Sequence, residues 1–288
     1  EDAKKAHIPI ILVNNGVDTD DSSLYSCMLG SDYGKQMKKA GKWLDEYLKE
    51  EDEKKAEKEK AASEAPTQEE SEQTDSEDTE VNTDSSKATD SSASIFDKIM
   101  KSSSTAKDET DSTEEEQTEE DITIKIAAIQ ESIGSEEQLM RAQGYQTMLE
   151  RYSDWEMVAQ QTGDNSREEA EKVMKLFLEQ EPDLRVVFAE SDEMALGAID
   201  AIGKSGKTCG EDGDIIVISF GGSKAGIEAV KEGKLNVTFE CNPGQGPKAA
   251  ELIQRLESDI SIDKEQYVEE TYFDGTMDLD EIIENRTY

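Results

Sequence analysis

The stretch RVVFAESDEMALGAIDAIGKSGKTCGEDGDIIVISF, residues 185–220, decides the fold of this chain. Its two ends, 185–189 and 215–220, are short runs of apolar residues, which is typical of strands buried on both faces. Between them, residues 192–204 have the length of a helix that ends near Gly206, a residue type that favours helix termination. A strand, a helix and a second strand in this order predict a parallel βαβ unit.

The same alternation continues on both sides of this unit. Two helix starts carry a capping box, Ser135 with Gln138 and Ser166 with Glu169. The other predicted elements are strands at 8–14, 122–130, 156–161, 235–240 and 266–273, and helices at 33–49, 135–149, 224–231 and 246–257, with one more after Ser166. The sequence therefore predicts an α/β protein built on doubly wound parallel sheets.

The charge of the chain is unevenly distributed. The net charge is −38, and residues 51–121 alone hold 25 acidic and 8 basic side chains with 21 Ser or Thr and one aromatic residue, Phe96. A segment of this composition buries too little apolar area to offset the entropy of ordering it, so we predict a disordered acidic insertion. Its apolar island, Ile95-Phe96 with Ile99-Met100, is interpreted as a transient helix, with a linear docking motif as the alternative.

Composition and motifs favour binding over catalysis. A chain this acidic is not expected to bind nucleic acid or an anionic membrane surface, and it has no apolar stretch long enough to span a bilayer. The cysteines Cys27, Cys209 and Cys241 lie far apart without a C-x-x-C pair, and His7 is the single histidine. We therefore expect no catalytic residues, no metal and no cofactor.

Ligands of doubly wound sheets bind beyond the carboxyl ends of the strands. The loops that follow the strands at 8–14, 122–130, 185–189 and 215–220 are short and polar. They contain Asn14-Asn15-Gly16, Ser132 to Ser135, Ser191-Asp192 and Gly221-Gly222-Ser223. The function of the chain is therefore expected to lie in these loops.

Several motifs in register resemble one family. The segments SDEMALGAIDAIGKSG (191–206), DIIVISFGG (214–222) and AVKEGKLNVTFECNPGQGPKAAELI (229–253) resemble the periplasmic sugar-binding proteins of bacterial ABC transporters, in the ribose/galactose/galactofuranose-binding branch of the type I fold. RAQGY (141–145) and QTGDNSREEAEKVMKLFL (161–178) fall in the order that this family expects. The resemblance covers residues 1–49 and 122–288.

The resemblance implies two doubly wound lobes joined by a hinge of three strands, with a sugar enclosed between the lobes by hinge motion. Residues 1–32 would be the C-terminal part of the first lobe. Residues 33–240 would be the second lobe, interrupted by 51–121, and residues 241–288 would return to the first lobe and the hinge strands. The early units of the first lobe are missing from this scheme, so a chain truncated at its N-terminus is expected.

The resemblance also implies a set of ligand-binding residues. Arg141 matches the family's Arg-x-x-Gly-Phe/Tyr position and would donate to sugar hydroxyls, whereas the alternative is a surface arginine paired with Glu137. Several positions depart from the family's pattern. Asn14-Asn15 stands in place of an Asp-Arg pair, Ser191 in place of a common Asn, Asn165 in place of a stacking aromatic and Gly221 in place of an Asp. Either the ligand differs or the pocket is degenerate. The full predicted set is Arg141, Asn14, Asn15, Ser31, Asn165, Ser191, Phe220, Gly221, Glu240 and Asn242.

The function implied is that of an extracytoplasmic solute-binding protein. It would bind a small polar ligand, a sugar, and deliver it to an ABC transporter permease as a monomer. The family also implies an export signal and a lipid anchor upstream of this sequence. Two alternatives share the fold: the effector-binding domain of a lactose-repressor-type transcription regulator, and the sensor ectodomain of a signalling receptor.

Overall fold

The computed structural model describes residues 1–17, 19–63 and 123–288. Residues 1–58 and 121–288 form one compact unit, and of the other unit, residues 59–120, the description includes only 59–63. The elements are α1 (Asp2–Lys5), β1 (Ile11–Val13), β2 (Cys27–Gly30), α2 (Tyr33–Ser63), β3 (Ile124–Gln130), α3 (Glu136–Arg151), β4 (Trp155–Thr162), α4 (Arg167–Gln180), β5 (Val186–Ala189), α5 (Asp192–Lys204), β6 (Ile216–Gly221), α6 (Lys224–Lys231), β7 (Val237–Glu240), α7 (Gly246–Glu257), β8 (Glu265–Tyr267), β9 (Tyr272–Asp274) and α8 (Leu279–Asn285).

The larger sheet has six strands in the order β4-β3-β5-β6-β7-β9. All pairs are parallel except β7 with β9, which is antiparallel. Helices cover both faces: Leu44 of α2 and Tyr145 of α3 pack on one face, and Phe177 of α4, Ala198 of α5 and Ile227 of α6 pack on the other. The prediction of an α/β fold with doubly wound parallel strands is confirmed.

The smaller sheet has three parallel strands in the order β1-β2-β8. Its core is formed by Cys27 and Leu29 of β2 with Leu252 of α7, all fully buried. β2 is not among the strands predicted from the sequence, because its four residues give too short a pattern to stand out. The run expected as one strand at 8–14 forms regular β structure only at Ile11–Val13.

The single strand predicted at 266–273 is wrong. The structure splits it into β8, which pairs with β2 of the smaller sheet, and β9, which pairs with β7 of the larger sheet. Residues 268–271 cross from the smaller sheet to the larger one, so the strand pairing is interrupted between β8 and β9. Residues 241–288, which the resemblance assigns to the first lobe and the hinge, therefore contribute to both sheets, since β9 and α8 lie with the larger one.

The predicted start of disorder at residue 51 is also wrong, because α2 continues to Ser63. Residues 51–63 are rich in Glu, Lys and Ala, which are strong helix formers. Glu51 forms an ion pair with Arg185 beside β5, so the helix still contacts the sheet at that point. The rest of the acidic insertion, with the Ile95 to Met100 island, lies outside the described residues.

The helix boundaries follow from the capping residues that the sequence predicted. Ser135 Oγ accepts a hydrogen bond from Gln138 N at 3.2 Å, and Ser166 Oγ accepts one from Glu169 N at 3.3 Å. Both serines therefore satisfy a backbone N–H at a helix start. Within residues 1–17, 19–63 and 123–288, every helix is too short or too polar to span a bilayer.

Close packing of α4 on α5 leads to a first prediction. A Cβ atom added at Gly197 of α5 would overlap the backbone carbonyl of Arg167, whereas one at Gly203 of the same helix would meet open space. We expect Gly197→Ala to lower the free energy of unfolding by about 3 kcal/mol, because backbone cannot move aside as a side chain can. Gly203→Ala is the control and should stabilise by up to about 1 kcal/mol. Urea unfolding measures both, and equal stability of the two variants would contradict this packing.

Candidate ligand-binding site

A cleft of about 460 Å³ lies where the carboxyl ends of β1, β3, β5 and β6 meet the segment after β7. This volume lies within the range of small-molecule sites. The residues that line it are Val13, Asn14, Ser31, Tyr33, Glu131, Glu137, Arg141, Glu190, Ser191, Phe220, Gly221, Cys241, Asn242, Pro243 and Gln245. Asn14, Glu131 and Glu190 follow directly after β1, β3 and β5, so the cleft lies at the carboxyl ends of strands, where the sequence placed it.

Arg141 of α3 is the central cation of the cleft and is only 2% exposed. Its guanidinium lies between two rings, with Cζ 4.9 Å from the centroid of Tyr33 and 4.6 Å from that of Phe220. Nη1 donates to the carbonyl oxygen of Glu190 at 3.2 Å, and Nη2 donates to Sγ of Cys241 at 3.4 Å. The side chain is therefore held in one orientation by stacking and by two hydrogen bonds.

The alternative reading of Arg141 as a surface arginine paired with Glu137 is wrong. Glu137 instead accepts a hydrogen bond from the hydroxyl of Tyr33 at 3.1 Å. Within the described ranges, no carboxylate forms an ion pair with Arg141, and its Nε has no hydrogen-bond partner. A buried guanidinium with an unused donor is suited to bind an oxygen of a ligand.

Glu190 follows β5 directly and is 1% exposed. Its Oε2 accepts a hydrogen bond from the backbone N–H of Glu131 at 2.9 Å, and its Oε1 has no hydrogen-bond partner in the part of the chain that is described. Burial raises the pKa of this carboxyl to about 7, although Arg141 acts in the opposite direction. Burial also raises the pKa of Glu131. Glu190 therefore changes its charge near neutral pH.

Amide side chains form a further wall of the cleft. Gln245 is 4% exposed, and its Nε2 donates to Oδ1 of Asn14 at 3.3 Å and to the backbone oxygen of Asn242 at 3.5 Å. Its Oε1 has no partner among the described residues and is left as an acceptor. These bonds fix the orientation of the amide, since its NH₂ group is already used.

One carboxylate connects the chain segments that cross between the sheets. Oε1 of Glu270 accepts hydrogen bonds from Ser31 Oγ at 2.6 Å and from Asn242 N at 2.8 Å, and Oε2 accepts one from Gln36 Nε2 at 2.8 Å. Ser31 and Asn242 both line the cleft, and Glu270 lies in the crossing at 268–271. Glu270 therefore holds two cleft residues in place from outside the cleft.

We expect Glu270→Gln to weaken binding of the cleft's ligand about tenfold. An amide has one acceptor oxygen where the carboxylate has two, so the bonds to Ser31, Asn242 and Gln36 cannot all persist, and each charge-assisted bond contributes about 1.5–3 kcal/mol. The control is Glu269→Gln, an exposed neighbour in the same segment. Calorimetric titration of both variants checks this, and equal affinity in both would contradict the positioning role.

Seven of the ten predicted binding residues line the cleft, and three do not. The seven are Arg141, Asn14, Ser31, Ser191, Phe220, Gly221 and Asn242. Asn15 is exposed beside β1, and Asn165 is exposed in the turn before α4, which follows the edge strand β4 of the larger sheet. Their positions place both outside the cleft.

Glu240 is the third predicted residue that does not line the cleft. Its carboxylate is bound by other groups of the chain. Its Oε1 forms an ion pair with Arg286 at 2.8 Å and accepts a hydrogen bond from the hydroxyl of Tyr288 at 2.7 Å. Oε2 accepts one from the backbone N–H of Thr271 at 3.2 Å. The ligand-binding role predicted for Glu240 is therefore not supported by its position.

Some cleft residues were missed from the sequence. Glu131 and Glu190 each come directly after a predicted strand, so their positions were a usable signal, but the polar residues further along each loop were chosen instead. Four further lining residues were not predicted, namely Tyr33, Glu137, Cys241 and Gln245. The one signal for them in the sequence was that they lie near residues that were predicted. Across the described residues, no cluster of three or more His, Cys, Asp or Glu is arranged to hold a metal ion.

Comparison with known proteins gives one family match. A family model described as periplasmic binding protein domain matches residues 114–259. The chain is 34% identical over 133 residues to the ribose import binding protein RbsB of Salmonella typhimurium, an alignment that covers 46% of this chain and 43% of that protein. It is 33% identical over 139 residues to the RbsB protein of Bacillus subtilis, covering 48% of this chain and 41% of that one.

A solved structure gives a similar picture of the fold. The arabinose ABC transporter's periplasmic binding protein from Shewanella sp. ANA-3, bound to α- and β-L-arabinofuranose, superposes with a TM-score of 0.66 at 21% identity. That superposition covers 100% of this chain and 74% of the other. The matches to the two curated relatives span less than half of each relative's length.

Proposed function

The chain belongs to the family of periplasmic binding protein domains, and on that premise we propose that it binds a small polar ligand, a sugar, in the cleft between its two sheets and delivers it to the permease of an ABC transporter. A family of binding proteins agrees with the prediction of binding without catalysis. The relatives' names refer to ribose import and to bound arabinofuranose. A pentose or a furanose is therefore the first ligand to test.

The geometry of Arg141 is the observation that carries the proposal. Sugars offer hydroxyl and ring oxygens for hydrogen bonds. The cleft offers a guanidinium that is held between the rings of Tyr33 and Phe220, with an Nε that has no hydrogen-bond partner among the described residues. The same cleft holds the amides of Asn14 and Gln245, which pair with hydroxyl groups as donors and acceptors.

The proposal extends to how the molecule works in the cell. The two sheets would belong to two lobes, and the crossing segments around Ser31, Asn242 and Glu270 would act as the hinge on which the lobes close over the ligand. The protein would act outside the cytoplasm, as a monomer held at the membrane by a lipid anchor. Its partner there would be the permease, with no nucleic acid involved.

A thermal-shift screen tests the proposed function. The protein is heated with and without millimolar ribose, arabinose, galactose, glucose and their methyl furanosides, together with the amino and acid forms of each sugar. A ligand at 100 times its Kd stabilises the folded state by about 2.7 kcal/mol, so a true ligand should raise Tm by several degrees. Mannitol is the control for non-specific effects. If no member of the panel raises Tm more than mannitol does, the sugar-binding proposal is wrong.

A further inference from the structure

The cleft carries more negative than positive charge. Three of its lining side chains are carboxyl groups, Glu131, Glu137 and Glu190, and one is the guanidinium of Arg141. The other lining residues are uncharged types. With all four groups ionised the lining has an excess of negative charge, and the low-dielectric walls of a cleft strengthen the repulsion of anions and the attraction of cations.

Buried atoms without partners show which groups the ligand must supply. Among the described residues that line the cleft, these atoms are Oε1 of Glu190, Oε1 of Gln245 and Nε of Arg141, on side chains that are 1%, 4% and 2% exposed. Two of the three are acceptors. Since buried polar atoms in native proteins are nearly always paired, a ligand rich in N–H and O–H donors fits this set.

The protonation of Glu190 connects these two observations. Arg141 and Tyr145 face the carboxyl from α3, and Glu131 faces it from the end of β3. Burial, and to a smaller extent the charge of Glu131, raise its pKa to about 7, while Arg141, the backbone N–H of Glu131 and Tyr145 lower it without restoring the usual value. A cation bound in the cleft would favour the ionised form of Glu190 and would itself be favoured by it.

We infer that the cleft selects a polyhydroxylated ligand with a protonated amine over its neutral and its anionic counterparts. The inference rests on the proposed function, since it takes this cleft to be the ligand site. The amine meets the carboxyl-rich side of the cleft. The donors of Arg141 and the amide of Gln245 remain for hydroxyl and ring oxygens, so the ligand class is an amino sugar.

Calorimetric titration with matched sugars tests this inference. For each ring type, the neutral sugar, its amino form, its N-acetylated form and its uronic acid are compared at pH 7. We expect the amino form to bind at least about tenfold more tightly than the neutral sugar, and the N-acetylated and acid forms to bind more weakly than either. A neutral sugar that binds as tightly as its amino form, or an acid that binds most tightly, overturns the inference and leaves the proposed function standing.

The Glu190→Gln variant separates charge from shape. It keeps the size of the side chain and removes the negative charge, so the ratio of the affinities for the amino form and the neutral sugar, both measured in this variant, should fall about tenfold. Glu150→Gln is the control, since Glu150 lies exposed on α3 and outside the cleft. A preference unchanged in Glu190→Gln contradicts the inference.

The pH dependence gives a second measure. An amine of this kind titrates near pH 8, like an α-amino group, and Glu190 titrates near 7, so both are charged to the greatest extent together close to pH 7 to 8. Affinity of the wild-type protein for the amino form should rise between pH 5.5 and 7, and that rise should be absent in Glu190→Gln. If no sugar of any form binds at any pH, the proposed function and this inference both fail.

Discussion

Replacing Arg141 with alanine is expected to lower ligand affinity at least about a hundredfold. The guanidinium is buried and fixed by the rings of Tyr33 and Phe220, and its Nε has no hydrogen-bond partner among the residues that the structure describes. A hydrogen bond from a charged donor contributes about 1.5–3 kcal/mol, and loss of the stacked group also opens a void beside the ligand. Arg141→Lys keeps the charge but loses the planar geometry, so we expect a smaller loss of about tenfold.

The control for this variant is Arg151→Ala on the same helix. Arg151 is exposed, lies over the ring of Tyr152 and does not line the cleft, so its removal should leave affinity unchanged. Thermal melting of each variant without ligand shows whether it is folded. A folded Arg141→Ala protein with wild-type affinity would remove Arg141 from the site.

The second large effect is expected at Asp192, which stabilises the structure beneath the cleft. Its carboxylate is 4% exposed and accepts hydrogen bonds from Ser219 Oγ at 2.6 Å, Thr238 Oγ1 at 2.7 Å and Ser223 N at 2.7 Å. These donors belong to β6, β7 and the start of α6. Because Asp192→Ala leaves two buried hydroxyls and one half-buried N–H without their acceptor, we expect the free energy of unfolding to fall by about 4 kcal/mol.

Urea unfolding measures this loss, with Glu193→Ala as the control. Glu193 is the next residue and another acid in the first turn of α5, but it is exposed. Its removal should change the free energy of unfolding by no more than about 0.5 kcal/mol. Equal stability of the two variants would mean that the three hydrogen bonds of Asp192 contribute nothing net.

Local patterns were enough to predict most of the larger sheet. The helices α5, α6 and α7 begin and end where the sequence placed them, because their apolar spacing and terminal residues act within a few positions. The split of 266–273 into β8 and β9 was not visible in the same way. Both halves have strand composition, and only their different partners, β2 and β7, separate them.

The candidate site shows the same limit. The loops at the carboxyl ends of strands were predictable from the topology, and Asn14 and Ser191 lie there and line the cleft as expected. Arg141, which the family resemblance indicated, reaches the cleft from α3. The carboxylate of Glu240 accepts a hydrogen bond from Arg286, which lies 46 residues further along the chain. A pattern of neighbouring residues cannot predict such a contact. Asn165 was misplaced for a related reason, because the edge position of β4 follows from strand order and not from the residues of its loop.

Calorimetric titration of the wild-type chain and the Arg141→Ala variant with the same sugar panel tests the central claim most directly. We predict saturable binding of at least one sugar to the wild-type protein at a single site. We predict that the heat of binding disappears in Arg141→Ala and persists in Arg151→Ala. Absence of binding to the wild-type chain, or equal binding to Arg141→Ala, would contradict the claim that this cleft holds a sugar.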